Sequence, residues 1–146
     1  MPRRMISSIL TDRVLITAHK EMTVRAASCL MAEKKIGALL VIDNQAIAGI
    51  FTERDALNKV LAASLDPDTT PLSQVMVVNP QTIRADKPLA FALYMMAEGG
   101  FRHVPVVDAS GFPIGMVSAR DALGQDMVEL ERDMKHLEEL EGSIGY

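Results

Sequence analysis

The sequence predicts an α+β protein: two tandem units of order strand, helix, strand, strand, helix, packed face to face by pseudo-twofold symmetry, plus a C-terminal helix. Three observations predict it. The stretch TERDAL, Thr52 to Leu57, returns 66 residues later as SARDAL, Ser118 to Leu123. Upstream of each copy, apolar residues at helical spacing give way to short runs rich in Val, Ile and Leu, the change of period that separates helix from strand. Between the copies lies SLDPDTTPLSQVM, residues 64–76, whose two prolines and polar residues read as a linker.

The duplication extends well beyond the motif. TVRAASCLMAEKKIGALLVID, Thr23 to Asp43, lies over PLAFALYMMAEGGFRHVPVVD, Pro88 to Asp108, at an offset of 65, with Ala27/Ala92, Met31/Met96, Glu33/Glu98, Val41/Val106 and Asp43/Asp108 identical. One residue is inserted in the following turn. GIFTERDAL, Gly49 to Leu57, then overlies GMVSARDAL, Gly115 to Leu123, at an offset of 66.

Each unit opens with a short strand, VLITA (Val14 to Ala18) or QTIRA (Gln81 to Ala85). A helix follows, marked in the first copy by Val24, Ala27, Leu30 and Met31, and in the second by Pro88 in the first turn, where a helix tolerates proline. The strands ALLVID and AIAGIF are joined by NQ, and HVPVVD and PIGMVS by ASGF, turn chemistry that suits hairpins. A second helix starts at Thr52 and at Ser118. Three strands and two helices are too few to cover both faces of their own sheet, so the two units are expected to share a core. The expected organisation is residues 1–66 for the first unit with its N-terminal segment, 67–128 for the linker and second unit, and 129–146 for the C-terminal helix and tail.

In that tail Leu123, Met127, Leu130, Met134 and Leu137 alternate four and three apart, the seam of a coiled coil or of a helix lying on a neighbour. Two heptads are too few for an independent zipper. The helix is expected to extend the last repeat and pack on a partner subunit, or else to rest one side on its own domain, and GSIGY after it to fray.

Composition removes several function classes. The 146 residues suffice for a core without staples, and 49% apolar and 23% charged residues are ordinary for a globular protein. A net charge of −4 lacks the basic stripe of a nucleic-acid binder. No apolar run approaches the length of a membrane span, and MPRRMISSIL lacks the apolar stretch of a secretory signal. A cytoplasmic protein with neither nucleic acid nor membrane as partner is expected. The single Cys29 excludes an internal disulfide, and three scattered histidines lack zinc-ligand spacing. No nucleophile stands beside a positioned base, so neither catalysis nor a prosthetic group is expected.

The T/S-x-x-D motifs carry two readings. Ser or Thr with an acid three residues on is a capping box, worth about 1 kcal/mol and needing no ligand. Yet both copies keep Asp, both place Arg before it (Arg54, Arg120), and both follow a Gly-containing strand. A carboxylate accepts hydrogen bonds only and suits a ribose diol, while a hydroxyl at a helix start suits a phosphate.

Paired units carrying IGALLVID…GIFTERDAL and FRHVPVVD…GMVSARDAL resemble tandem CBS domains, the regulatory modules named after cystathionine β-synthase, and in particular the small bacterial proteins that consist of such a pair. The resemblance covers about residues 5 to 128. It implies that Asp55 and Asp121 take the ribose of an adenosyl nucleotide. Thr52 and Ser118 would hold its phosphate, together with Arg54, Arg120, Arg102 and His103. Thr17, Ala18, Thr82 and Ile83 would line the adenine. The implied ligands are AMP, ADP, ATP, S-adenosylmethionine or NAD, and the implied assembly is a homodimer that signals to an unidentified regulated protein. The alternative is a ligand-free dimerisation or docking module whose motifs only cap helices. Gly37 and Ala38 stand where the second copy has Arg102 and His103, and Glu53 stands against Ala119, so the two sites are expected to differ in affinity.

Overall fold

The computed structural model describes residues 4–11, 13–122 and 124–142, and the tandem architecture is present. Leu123 of the predicted seam and residues 143–146 of the predicted frayed tail lie outside the described residues. The first repeat comprises β1 (Thr17–His19), α2 (Val24–Lys34), β2 (Ala38–Asp43), β3 (Ala46–Thr52) and the short α3 (Glu53–Asp55), continued by a π-helical stretch over Ala56–Leu61. The second comprises β5 (Ile83–Arg84), α5 (Leu89–Gly99), β6 (His103–Val107), β7 (Pro113–Ser118) and α6 (Ala119–Ala122), followed by α7 (Gly124–Leu140). A short helix precedes each repeat: α1 (Ile6–Ile9) and α4 (Leu72–Val75), the latter followed by β4 (Val77–Val78).

The first sheet runs β1-β2-β3-β4 and the second β5-β6-β7. In each, the opening strand pairs in parallel with the first hairpin strand, β1 with β2 and β5 with β6, and the hairpins are antiparallel. The NQ turn is made by Asn44 and Gln45 at φ 51° and 65°, the positive values a tight two-residue hairpin loop requires.

The expected shared core is instead two cores, one per repeat. Leu39, Val41, Phe51, Val24, Ala27 and Val60 fill the first; Val104, Val106, Val117, Ala92 and Leu89 fill the second. Each is completed from outside its own repeat. Ile6 of α1, with no exposed surface, lies in the second core, while Leu72 and Val75 of α4 lie in the first. Part of the segment read as a linker is therefore structural.

The exchange is symmetric to the hydrogen bond. The Ile6 amide donates to Lys87 O, Ser7 to Ala85 O, and Leu89 to Arg4 O; in the other half Leu72 donates to Met22 O, Ser73 to Lys20 O, and Val24 to Thr70 O. Close approach of the exchanged segments also dictates two glycines. A Cβ at Gly49 would lie 2.7 Å from Met76 Sδ and from Val77 O, and one at Gly115 would lie 2.7 Å from Leu10 Cδ2.

Candidate functional site

Both motifs cap their helices. Thr52 Oγ1 accepts the Asp55 amide at 3.2 Å, and Asp55 Oδ2 accepts the Thr52 amide and hydroxyl at 3.0 and 3.1 Å. Ser118 Oγ accepts the Asp121 amide at 3.2 Å, and Asp121 Oδ2 accepts the Ser118 amide at 2.8 Å. Each box uses one carboxylate oxygen. The second oxygen holds a cation: Lys59 Nζ lies 3.2 Å from Asp55 Oδ1, and Arg13 Nη2 lies 2.6 Å from Asp121 Oδ1. Lys59 is one turn along the same helical segment, whereas Arg13 arrives from the N-terminal segment.

The capped motifs open onto crevices. The first, about 520 Å³, is bounded by Thr52, Arg54 and Asp55 of one repeat, by Val77 and Asn79 to Gln81 before the other, and by the Gly99 to His103 turn. The second, about 960 Å³, is bounded by Ser118, Arg120 and Asp121, by Arg13 to Ile16, and by the Lys34 to Ala38 turn. Each crevice thus sets the motif of one repeat against the entry segment and helix end of its twin. Arg102, His103 and Glu53 line both.

The structure accordingly gathers Thr52, Arg54 and Asp55 at one crevice and Ser118, Arg120 and Asp121 at the other, with Arg102 and His103 between them. Arg54 Nη1 also donates to Gly100 O at 3.3 Å, across the repeats. The four residues expected along the adenine are displaced from the crevices. Ala18 and Ile83 are buried in the two cores, and Thr17 and Thr82 are exposed. β1 and β5 begin at Thr17 and Ile83, later than VLITA and QTIRA suggest, and the walls are made upstream, by Val14 to Ile16 and by Asn79 to Gln81.

Electrostatics differ between the crevices. At Asp121 burial disfavours ionisation, but the Arg13 guanidinium and the Ser118 amide outweigh it and hold the carboxyl below its ordinary value; Arg13 is raised in turn. Burial lowers the His103 imidazole, against the pull of the Glu53 and Asp121 carboxylates. Arg13, Lys34 and Lys35 are crevice residues that the motif alone does not reveal. The internal alignment holds a signal for two of them, since at the offset of 65 Lys34 and Lys35 overlie Gly99 and Gly100.

The family model of the CBS domain matches this chain twice, over residues 6–62 and 72–127. The chain belongs to the CBS-domain family. CBS pairs are generally regulatory modules, and two such domains in tandem make this chain a CBS pair. It is 43% identical over 96 residues to the meiotically up-regulated gene 70 protein of Schizosaccharomyces pombe, a match covering 66% of this chain and 13% of that protein. It is 35% identical over 121 residues to a CBS domain-containing protein of Arabidopsis thaliana, covering 82% and 22%. The chain thus spans under a quarter of these relatives. A putative signal-transduction protein with CBS domains from Burkholderia ambifaria superposes with a TM-score of 0.79 at 32% identity, covering 85% of this chain and 94% of that one. A CBS domain protein from Pyrobaculum aerophilum complexed with AMP superposes with a TM-score of 0.74 at 25% identity, covering 80% and 88%. The CBS domain pair of protein MJ0100, in complex with 5′-methylthioadenosine and S-adenosyl-L-methionine, gives 0.76 at 25% identity, covering 88% and 99%. No helix among the described residues is long and apolar enough to cross a membrane.

Proposed function

We propose that this CBS pair binds an adenosyl nucleotide between its repeats and passes occupancy to a regulated protein by a change in the angle between them. The observation that carries this reading is the pairing in each crevice of a carboxylate, a hydroxyl and a cation from one repeat with the entry segment of the other. A ligand touching both repeats shifts their arrangement by its differential affinity for the two states. Asp55 and Asp121 would accept the ribose hydroxyls; Thr52, Ser118, Arg54, Arg120, Arg102 and His103 would face phosphate. Structural relatives complexed with AMP, 5′-methylthioadenosine and S-adenosylmethionine support the adenosyl class. The protein would act in the cytoplasm, where the exposed single thiol of Cys29 stays reduced. It would dimerise through α7, whose Leu130, Met134 and Leu137 are all more than half exposed.

The test is a thermal melt against AMP, ADP, ATP, S-adenosylmethionine and NAD. A ligand at about a hundred times its Kd adds about 2.7 kcal/mol, which at about 2 to 4 °C per kcal/mol is a rise of several degrees. A flat response to the whole panel at millimolar concentration would leave the second reading, a docking module whose motifs only cap helices. That reading is favoured by the complete capping boxes and by the cation already seated on each aspartate.

A further inference from the structure

The two crevices differ in charge far more than their motifs do. At the first, Arg54 and Arg102 face Glu53 and Asp55, and Lys59 pairs with Asp55, three cations against two carboxylates. At the second, Arg13, Lys34, Lys35, Arg102 and Arg120 face Glu53 and Asp121, five cations against two carboxylates. This excess stands in a chain of net charge −4, so it is local. The duplication acts as an internal control: the turn that brings Lys34 and Lys35 to the second crevice brings Gly99 and Gly100 to the first, and Val77 to Gln81 carry no charge where the opposite segment carries Arg13.

Lys35 is also held where lysine is costly. It caps α2 at φ 56°, ψ 45°, in the left-handed region, and its counterpart Gly100 adopts φ 71° at the end of α5. Glycine meets this need freely, whereas an L side chain there costs about 1 kcal/mol or more. Among the described residues, Lys34, Lys35, Arg102 and Arg120 make no ion pair. Cations gathered in one crevice and left without counter-charges repel each other until an anion arrives.

We infer that the second crevice is a polyphosphate site, taking a nucleoside triphosphate or a ligand of similar charge, while the first takes an adenosyl ligand of lower charge. The inference rests on the reading above that the crevices are ligand sites, and adds the class of the second. Arg13 gives the discrimination a mechanism. A ribose reaching Asp121 must displace the Arg13 guanidinium, and only a ligand that supplies further anionic oxygens gives that guanidinium a new partner. An adenosyl ligand without phosphate breaks the pair and leaves the cation stranded.

The experiment is calorimetric titration of wild type, Lys34→Ala/Lys35→Gly and Arg13→Gln with ATP, AMP, 5′-methylthioadenosine and inorganic tripolyphosphate. Glycine suits the left-handed position, so the double variant retains its fold. One class of wild-type site is expected to bind ATP and tripolyphosphate, with ATP at least about tenfold tighter than AMP, the scale of added charge-assisted contacts. The double variant is expected to lose at least about tenfold toward ATP and tripolyphosphate while AMP binding elsewhere holds. Equal affinities for ATP and AMP, unmoved by the double variant, would overturn the polyphosphate class and leave the adenosyl reading intact. Lysine-dependent tripolyphosphate binding without any adenosyl binding would do the reverse. Absence of binding by all four probes would sink both.

Discussion

Arg13 reaches across the second crevice to place Nη2 2.6 Å from Asp121 Oδ1, on a carboxylate whose other oxygen caps the helix start at Ser118. One residue of the N-terminal segment thereby fixes the cap motif of the distant repeat. Arg13→Gln is expected to let the Asp121 carboxyl rise toward its ordinary value. Because Asp121 is held below 3.8, its contribution is present above that pH and is lost as pH falls through the folded-state value. Arg13 is about half exposed, so the loss at neutral pH is modest, about 0.5 kcal/mol. Urea titrations at neutral pH and near pH 3 check it; an equal deficit at both would contradict an ionic origin.

Exchange of the leading helices couples the halves mechanically. Ile6 and Leu72 have no exposed surface, yet each sits in the core of the other half's repeat. Ile6→Ala is expected to cost about 2 to 5 kcal/mol, the range for truncating a buried aliphatic. Its amide exchange should quicken first in β6 and β7, whereas Leu72→Ala should loosen β2 and β3. Hydrogen-exchange mass spectrometry separates the two, and loosening confined to the segment carrying the substitution would contradict the exchange.

Much of this architecture is legible in the sequence because duplication supplies two readings of each element. The hairpins ALLVID/AIAGIF and HVPVVD/PIGMVS are marked by period and turn chemistry, and they form β2/β3 and β6/β7. The capping boxes are legible for the same reason, since their contacts span three residues. The exchange of α1 and α4 is not, because a four-residue segment such as ISSI or LSQV, half of it polar, carries no sign of which core it enters. The adenine-lining positions rest on the resemblance and not on period, and the crevice walls lie just upstream of them, at Leu15 and Ile16 and at Pro80 and Gln81. Arg13 lies outside the aligned blocks, and only the fold brings it to Asp121.

His103 sets a pH dependence of definite sign. Burial lowers its imidazole below 6.5, outweighing the Glu53 and Asp121 carboxylates, and Arg102 adds to the lowering. The unfolded chain therefore takes up this proton first as pH falls. Stability from His103 is complete above about pH 6.5 and declines as pH drops through the folded-state value. Chemical denaturation between about pH 5 and 7.5 is expected to show the midpoint falling toward acid in the wild type and a flatter profile in His103→Asn. Identical slopes for the two proteins would remove His103 as the cause.

Lys35→Gly separates stability from binding at a single position. The αL end of α2 is a place where glycine is the ordinary solution, as at Gly100. The substitution relieves about 1 to 2 kcal/mol of side-chain strain. It also frees the unfolded chain by roughly 0.5 to 1 kcal/mol, so a net gain of about 0.5 to 1 kcal/mol is expected. At about 2 to 4 °C per kcal/mol, the ligand-free melting temperature should rise by about 1 to 4 °C. A residue kept for its charge against this gain should then reveal itself in the same sample, with a larger rise for the free protein but a smaller further rise with ATP than the wild type shows. A lower ligand-free melting temperature would mean that Lys35 is retained for packing, and its left-handed geometry would lose its functional meaning.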